Sequence, residues 1–241
     1  MSFADGVSGL IDLEKVAGTQ SPLMLLTMMI DDSTSMRFFN NFRAVMEGHN
    51  SVLDTLSASP RAPLFLARTQ YMHGKALAGG YLPLPQAPRI TPENYHLIAG
   101  TPMFRASRRN LSYVKKSAKE YTEKGNDVFT LTLLLTDGWN REFSKRSTTA
   151  ENVCRVIKPM IASGRHIVAG VGVDTLQTDF RQVFLDMGIP EQWIITLRSA
   201  EQIRAAFRTF SSSAEHSSAG GKEFAETMVM GFGDMPTQKG Q

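Results

Sequence analysis

Residues 23 to 36 read "LMLLTMMIDDSTSM": an apolar run broken only by Thr27, then two aspartates and three hydroxyl side chains in five positions. A strand with one wet face alternates apolar and polar residues, whereas a strand covered on both faces by helices stays apolar throughout. Residues 23 to 30 follow the second pattern. A second stretch repeats the plan, since "DVFTLTLLLTDG", residues 127 to 138, stays largely apolar until it reaches Asp137. Two inner strands of a parallel sheet, each ending in a carboxylate, are the starting expectation.

The intervening sequence alternates helical and extended patterns. Phe39, Phe42, Val45, Met46, Val52, Leu53 and Leu56 recur at three and four residues, which predicts an amphipathic helix from just after Met36 to near "SASPRAP". "PLFLARTQ" reads as a second strand and "HGKALAGGYLPLP" as a third, bent at Gly79 and Gly80. Pro102 suits the first turn of a helix that Phe104, Leu111, Val114, Ala118 and Tyr121 carry to about Lys124. Helices near 149–163, 177–187 and 199–210 then alternate with the strands "HIVAGVGV" and "WIITL". This order predicts an α/β fold, doubly wound, with a mostly parallel central sheet and helices on both faces. The expected organisation is an N-terminal arm at 1–21, one domain at 22–212, and a flexible Ser-, Gly- and Ala-rich C-terminal tail at 213–241.

The 241 residues suffice for one large domain, and 42% hydrophobic with 20% charged residues is an ordinary globular composition. A net charge of +3 is too small to indicate nucleic acid. The basic run "RASRRN" to "VKKSAK" reads as the solvated face of a helix. Cys154 is the one cysteine, so no intrachain disulfide forms. The start carries Asp5, Asp12 and Glu14 ahead of its first basic residue and does not read as a signal peptide. "LMLLTMMI" is far shorter than the roughly 20 residues of a membrane span. A soluble cytoplasmic protein is expected.

Strands running in one direction gather their carboxyl ends at one sheet edge. That places Asp31, Ser33 and Ser35 beside Asp137, with Thr101 of "AGTP" in a loop at the same edge. Alternate side chains of an extended segment point the same way, so Asp31, Ser33 and Ser35 can converge. Two carboxylates and three hydroxyls, with no soft ligand, suit a hard divalent cation. The five histidines lack ligand spacing, which argues against zinc.

In these residues the sequence resembles the von Willebrand factor type A (vWA) domains, whose metal-ion-dependent adhesion site joins D-x-S-x-S to a distant Thr and a distant Asp. "DDSTSM" supplies Asp31, Ser33 and Ser35 with the usual following Met36; "AGTPM" supplies Thr101; "LLLTDGW" supplies Asp137 in the usual "TDG". The resemblance covers about residues 22 to 212. It implies a Rossmann-like fold, a bound Mg²⁺ or Mn²⁺, and a non-enzymatic binding module whose metal accepts an Asp or Glu carboxylate from a protein partner. The layout is similar to the bacterial cytoplasmic TerY or YegL-like group, which implies an AAA+ ATPase, a kinase or a phosphatase as partner in a stress response. Thr34 stands where glycine is frequent, and Asp32 is an additional carboxylate, expected to face solvent or cap the next helix.

A metal-dependent phosphohydrolase using the same acidic cluster is the alternative. The haloacid dehalogenase pattern, however, needs a second aspartate two residues after the first, where this chain has Ser33. Phosphate-loop, G-x-S-x-G and dinucleotide glycine motifs are missing from the strand-to-helix junctions. Trp139 is a candidate rim anchor for a partner. Asp174 reads as the start of a helix, and "FAETMVMGFGDM" in the tail as a segment apolar enough to dock.

Overall fold

The apolar run opened above is the centre of the sheet. In the computed structural model, which describes residues 22–138, 140, 148–173 and 179–217, β1 (Leu23–Ile30) is buried along its whole length. It pairs in parallel with β2 (Phe65–Tyr71) on one side and β4 (Val128–Thr136) on the other. Thr27, the one polar residue of β1, is buried with its hydroxyl 2.6 Å from the Tyr81 hydroxyl, so the interior polar group is satisfied.

Outward from this centre lie β5 (His166–Val173) and β6 (Ile194–Leu197), both parallel. On the opposite edge is β3 (Leu82–Pro83), the one antiparallel strand of the described sheet. The order is β3-β2-β1-β4-β5-β6. The third strand expected over residues 73 to 85 contracts to these two residues. Proline cannot donate to a ladder, and here it sits at the sheet edge where it is tolerated.

The helices are α1 (Asn41–Ser57), α2 (Met103–Glu123), α3 (Ala150–Ala162), α4 (Phe180–Asp186) and α5 (Ala200–Ser217). α1 packs on α5, while α2 packs on α3 and α3 on α4, so both faces of the sheet are covered. The two glycines of "GVGV" serve this packing. A Cβ on Gly170 would lie 2.7 Å from the Phe184 ring and one on Gly172 2.3 Å from that of Phe180, so α4 rests directly on the β5 backbone.

Two expectations change at element ends. α1 starts at Asn41, after a 3-10 segment over Thr34–Asn40 that is interrupted at Phe38 and Phe39. Phe39 therefore leaves the helical stripe to which its spacing assigned it. α5 runs through Ser217, past residue 212, with Ser211, Ser213 and Ala214 buried. Serine lowers helix propensity only by fractions of a kcal/mol, and packing overrides it. No helix of the described residues is long and apolar enough to cross a membrane.

Candidate metal centre

The carboxyl ends of β1 and β4 meet side by side, because Ile30 pairs with Leu135 and the Asp31 N–H donates to the Leu135 carbonyl at 2.9 Å. Asp31 and Asp137 thus emerge from neighbouring strands, both buried. Asp31 is fixed from all sides. Its Oδ1 accepts from the Ser33 N–H at 2.8 Å, its Oδ2 from the Thr136 hydroxyl at 2.6 Å, and its carbonyl from the Tyr95 hydroxyl at 2.6 Å. Thr136 and Tyr95 are positioning residues that the sequence pattern did not single out. "TDG" carries a signal for Thr136, whereas nothing local marks Tyr95, which is 64 residues away in the chain.

Asp137 faces the hydroxyls. Its Oδ1 accepts from Ser35 Oγ at 2.7 Å and lies 3.4 Å from Ser33 Oγ, and the two serine oxygens are 2.8 Å apart. Thr101 is buried against the same point. A Cβ built on Gly138 would sit 2.8 Å from Thr101 Oγ1 and 3.7 Å from Ser35 Oγ, so the absence of a side chain at 138 lets the third segment close in. All five residues expected at the site are brought together.

The electrostatics are unfavourable as they stand. Burial raises the Asp31 carboxyl above its ordinary range, against the lowering effect of the Thr136 and Ser33 hydrogen bonds. Burial, then the nearby Asp31 charge, pushes Asp137 up to about 7. Asp137 Oδ2 is buried with no hydrogen-bond partner, and no described Lys or Arg forms an ion pair with either carboxylate. Buried polar atoms are normally paired, and an orphan carboxylate oxygen beside a second carboxylate calls for a positive charge. The donor set is entirely oxygen. It fits a small hard cation with two acidic and three neutral ligands. Among the described residues no group of three or more His, Cys, Asp or Glu side chains converges, so hydroxyls are needed to complete any such shell.

Asp32 departs from expectation. It neither faces solvent nor caps a helix, but is buried, with Oδ1 accepting from the His73 N–H at 3.0 Å and lying 2.8 Å from His73 Nδ1. The cause is topological: β2 ends beside β1, so the turn that follows it delivers His73 to the side of the loop opposite Asp137. Asp32 is a tether between two strand ends and stands outside the donor set. Trp139 and Asp174 lie outside the described residues, as do the N-terminal arm and the segment "FAETMVMGFGDM".

The sequence matches no protein-family model, and no curated protein is similar to it. Solved structures do share its architecture. The pilus adhesin SpaC from Lactobacillus rhamnosus GG, in its open conformation, matches with a TM-score of 0.58 at 14% identity, over 80% of this chain and 30% of that one. Proximal thread matrix protein 1 from the mussel byssus matches at 0.52 and 13% identity, over 79% of this chain and 47% of that one. Manganese-loaded TRAP protein of Plasmodium vivax matches at 0.50 and 16% identity, over 79% and 74%. The chain thus spans less than half of the adhesin and of the mussel protein. The likeness to these proteins is one of fold, an α/β arrangement on a mostly parallel sheet with helices on both faces.

Proposed function

We propose that the chain is a metal-dependent protein-binding module in which Asp31, Ser33, Ser35, Thr101 and Asp137 hold Mg²⁺ or Mn²⁺. The observation that carries this reading is the buried, unpartnered Asp137 Oδ2 among three converging hydroxyls and a second buried carboxylate. When bound, the ion supplies an electrophilic coordination position for an incoming carboxylate, since Mg²⁺ keeps exchangeable waters at about 2.0 to 2.1 Å. The protein's own residues do the rest: Thr136, Tyr95 and the Ser33 N–H hold Asp31 in place, and Gly138 leaves room for Thr101 to approach. The manganese carried by the Plasmodium protein of the same fold supports the choice of ion.

The partner presents Asp or Glu. On the resemblance to the TerY or YegL-like group, it is an AAA+ ATPase, a kinase or a phosphatase in a bacterial stress response, met in the cytoplasm. A phosphohydrolase working through an aspartyl nucleophile is disfavoured, because Ser33 stands where that chemistry uses a second aspartate two residues after the first.

The test is capture of partner from the native extract by immobilised protein in Mg²⁺ or in EDTA, with Asp137→Ala alongside and circular dichroism to confirm its fold. Capture should vanish in EDTA and in the variant. Equal capture in all three samples sinks the reading.

A further inference from the structure

The exposed large hydrophobics of the described residues are Phe38 at 63%, Phe39 at 75% and Ile98 at 46%, and all three stand on two of the three segments that build the candidate metal centre. Phe38 and Phe39 follow Ser35 after Met36 and Arg37. Ile98 is joined to the Asp-Ser-Ser loop by a β-bridge with Ser33, its N–H donating to the Asp32 carbonyl at 2.7 Å and its carbonyl accepting from Thr34 at 3.1 Å. This exposure belongs to fixed backbone. Phe39 and Asn40 both have positive φ, 53° and 62°, a left-handed conformation that side chains other than glycine adopt at a cost of about 1 kcal/mol or more each. Strain that holds a phenylalanine in solvent needs a compensating use.

Alongside runs an open cleft of about 580 Å³, within the range that takes small ligands and side chains. Phe42, Met46, Tyr95 and Leu97 line it, with Arg37 and His96. Arg37 is exposed and has no ion-pair partner among the described residues, so the cleft carries unspent positive charge. Tyr95 ties the cleft to the metal centre: the ring that lines the cleft carries the hydroxyl bonded to the Asp31 carbonyl.

Resting on the metal-dependent reading above, we infer that the partner segment is an acidic peptide in which the metal-binding Asp or Glu stands next to a large apolar residue. The carboxylate goes to the ion. The neighbouring Leu, Ile, Met or Phe side chain enters the cleft lined by Phe42, Met46, Tyr95 and Leu97. Exposed Phe39, two residues on from Arg37, packs against the segment, and Arg37 faces its residual negative charge. Buried apolar contact beside a single ionic anchor is how such surfaces gain selectivity, because a lone carboxylate is common to every protein surface.

Random peptides displayed on phage, selected on the full chain in Mn²⁺ and eluted with EDTA, test this. The eluted pool should be enriched in Asp or Glu adjacent to Leu, Ile, Met or Phe. A synthetic peptide from that pool should bind Phe39→Ser and Arg37→Glu at least about tenfold more weakly than wild type, with Mn²⁺ affinity by calorimetry unchanged. Both substitutions are at exposed positions, so folding is not at issue. A pool acidic but without apolar neighbours, or equal affinity for the variants, overturns the inference and leaves the metal reading standing. A chain that takes up no Mn²⁺ in the calorimeter overturns the metal reading itself. If Phe39→Ser converts a dimer to a monomer in sedimentation, the occupant is a second copy of this chain and the acidic-peptide inference falls.

Discussion

Arg68, on β2 beneath α2, and the Asp31–Asp137 pair at the strand ends are both buried charge with no opposite charge beside it. Arg68 is 7% exposed. Two of its nitrogens donate to Asn110 Oδ1 and Gln70 Oε1, and its guanidinium lies 4.3 Å from the centre of the Tyr113 ring, leaving only its Nε without a hydrogen-bond partner. The acidic pair is arranged the other way. Like charge is placed beside like charge, three hydroxyls are turned inward, and one carboxylate oxygen is left without a partner. Arg68 brings most of its solvation with it; on the proposed reading the acidic pair leaves its complement to be supplied from outside.

The largest effect that would sharpen this contrast is at the arginine. Arg68→Ala strands the Asn110 and Gln70 oxygens and empties the space under Tyr113, and should lower unfolding free energy in urea by about 4 kcal/mol. Its affinity for Mg²⁺ should match wild type. A lost metal response in this variant breaks the comparison, because the two charges would then be parts of one device. Next is the ion. At about a hundredfold excess over its dissociation constant, Mg²⁺ or Mn²⁺ should stabilise the protein by about 2.7 kcal/mol, several degrees in Tm, and Asp137→Ala should erase that gain.

The acidity of the two buried groups gives a smaller and signed effect. Asp137 titrates near 7 when folded against an ordinary 3.8, so the metal-free native state holds a proton that the unfolded chain has lost, and stability falls as pH rises through that window. In Asp137→Asn that fall should shrink to the part contributed by buried Asp31. His49, pushed down to about 4 by burial, has the opposite sign: stability falls as pH drops from 6.5 through 4. His166, lowered to about 4 chiefly by its burial, adds to the acid side. Chemical denaturation in EDTA at several pH values separates the slopes, and a wild-type curve identical to that of Asp137→Asn refutes the strain assigned to the acidic pair. The smallest effect belongs to Asp32→Asn, which weakens the tether to His73 by about 1 kcal/mol and leaves metal affinity unchanged.

What the sequence disclosed follows from how locally each feature is encoded. β1 and β4 were legible because strands covered on both faces need apolar residues at every position, and the doubly wound order followed from their alternation with helices. Asp31, Ser33, Ser35 and Asp137 could be placed at one sheet edge because each follows a strand whose direction is fixed, whereas Thr101, just ahead of α2 and far from a strand end, was placed there by its motif. Phe39 was not legible, since the left-handed turn that expels it from the helix lacks the glycine that would announce such a turn. Asp32 was misplaced for another reason: its partner lies 41 residues onward, at a strand end whose position only the assembled sheet provides. The cleft is built jointly by residues 37 to 46 and 92 to 97, so no contiguous stretch contains it.

Tyr95 gives the site a property that neither half has alone. One side of the residue is cleft wall and the other is a donor to the backbone that carries Asp31. Stacked at 5.3 Å on Tyr71, nearly parallel to it, the ring has little freedom to yield to an occupant independently. If both proposals hold, cleft occupancy and ion occupancy are linked quantities, and linkage is reciprocal: whatever factor the ion adds to peptide affinity, the peptide returns to the ion. A cell with scarce free manganese or magnesium would then find the module charged chiefly where its partner is already at hand.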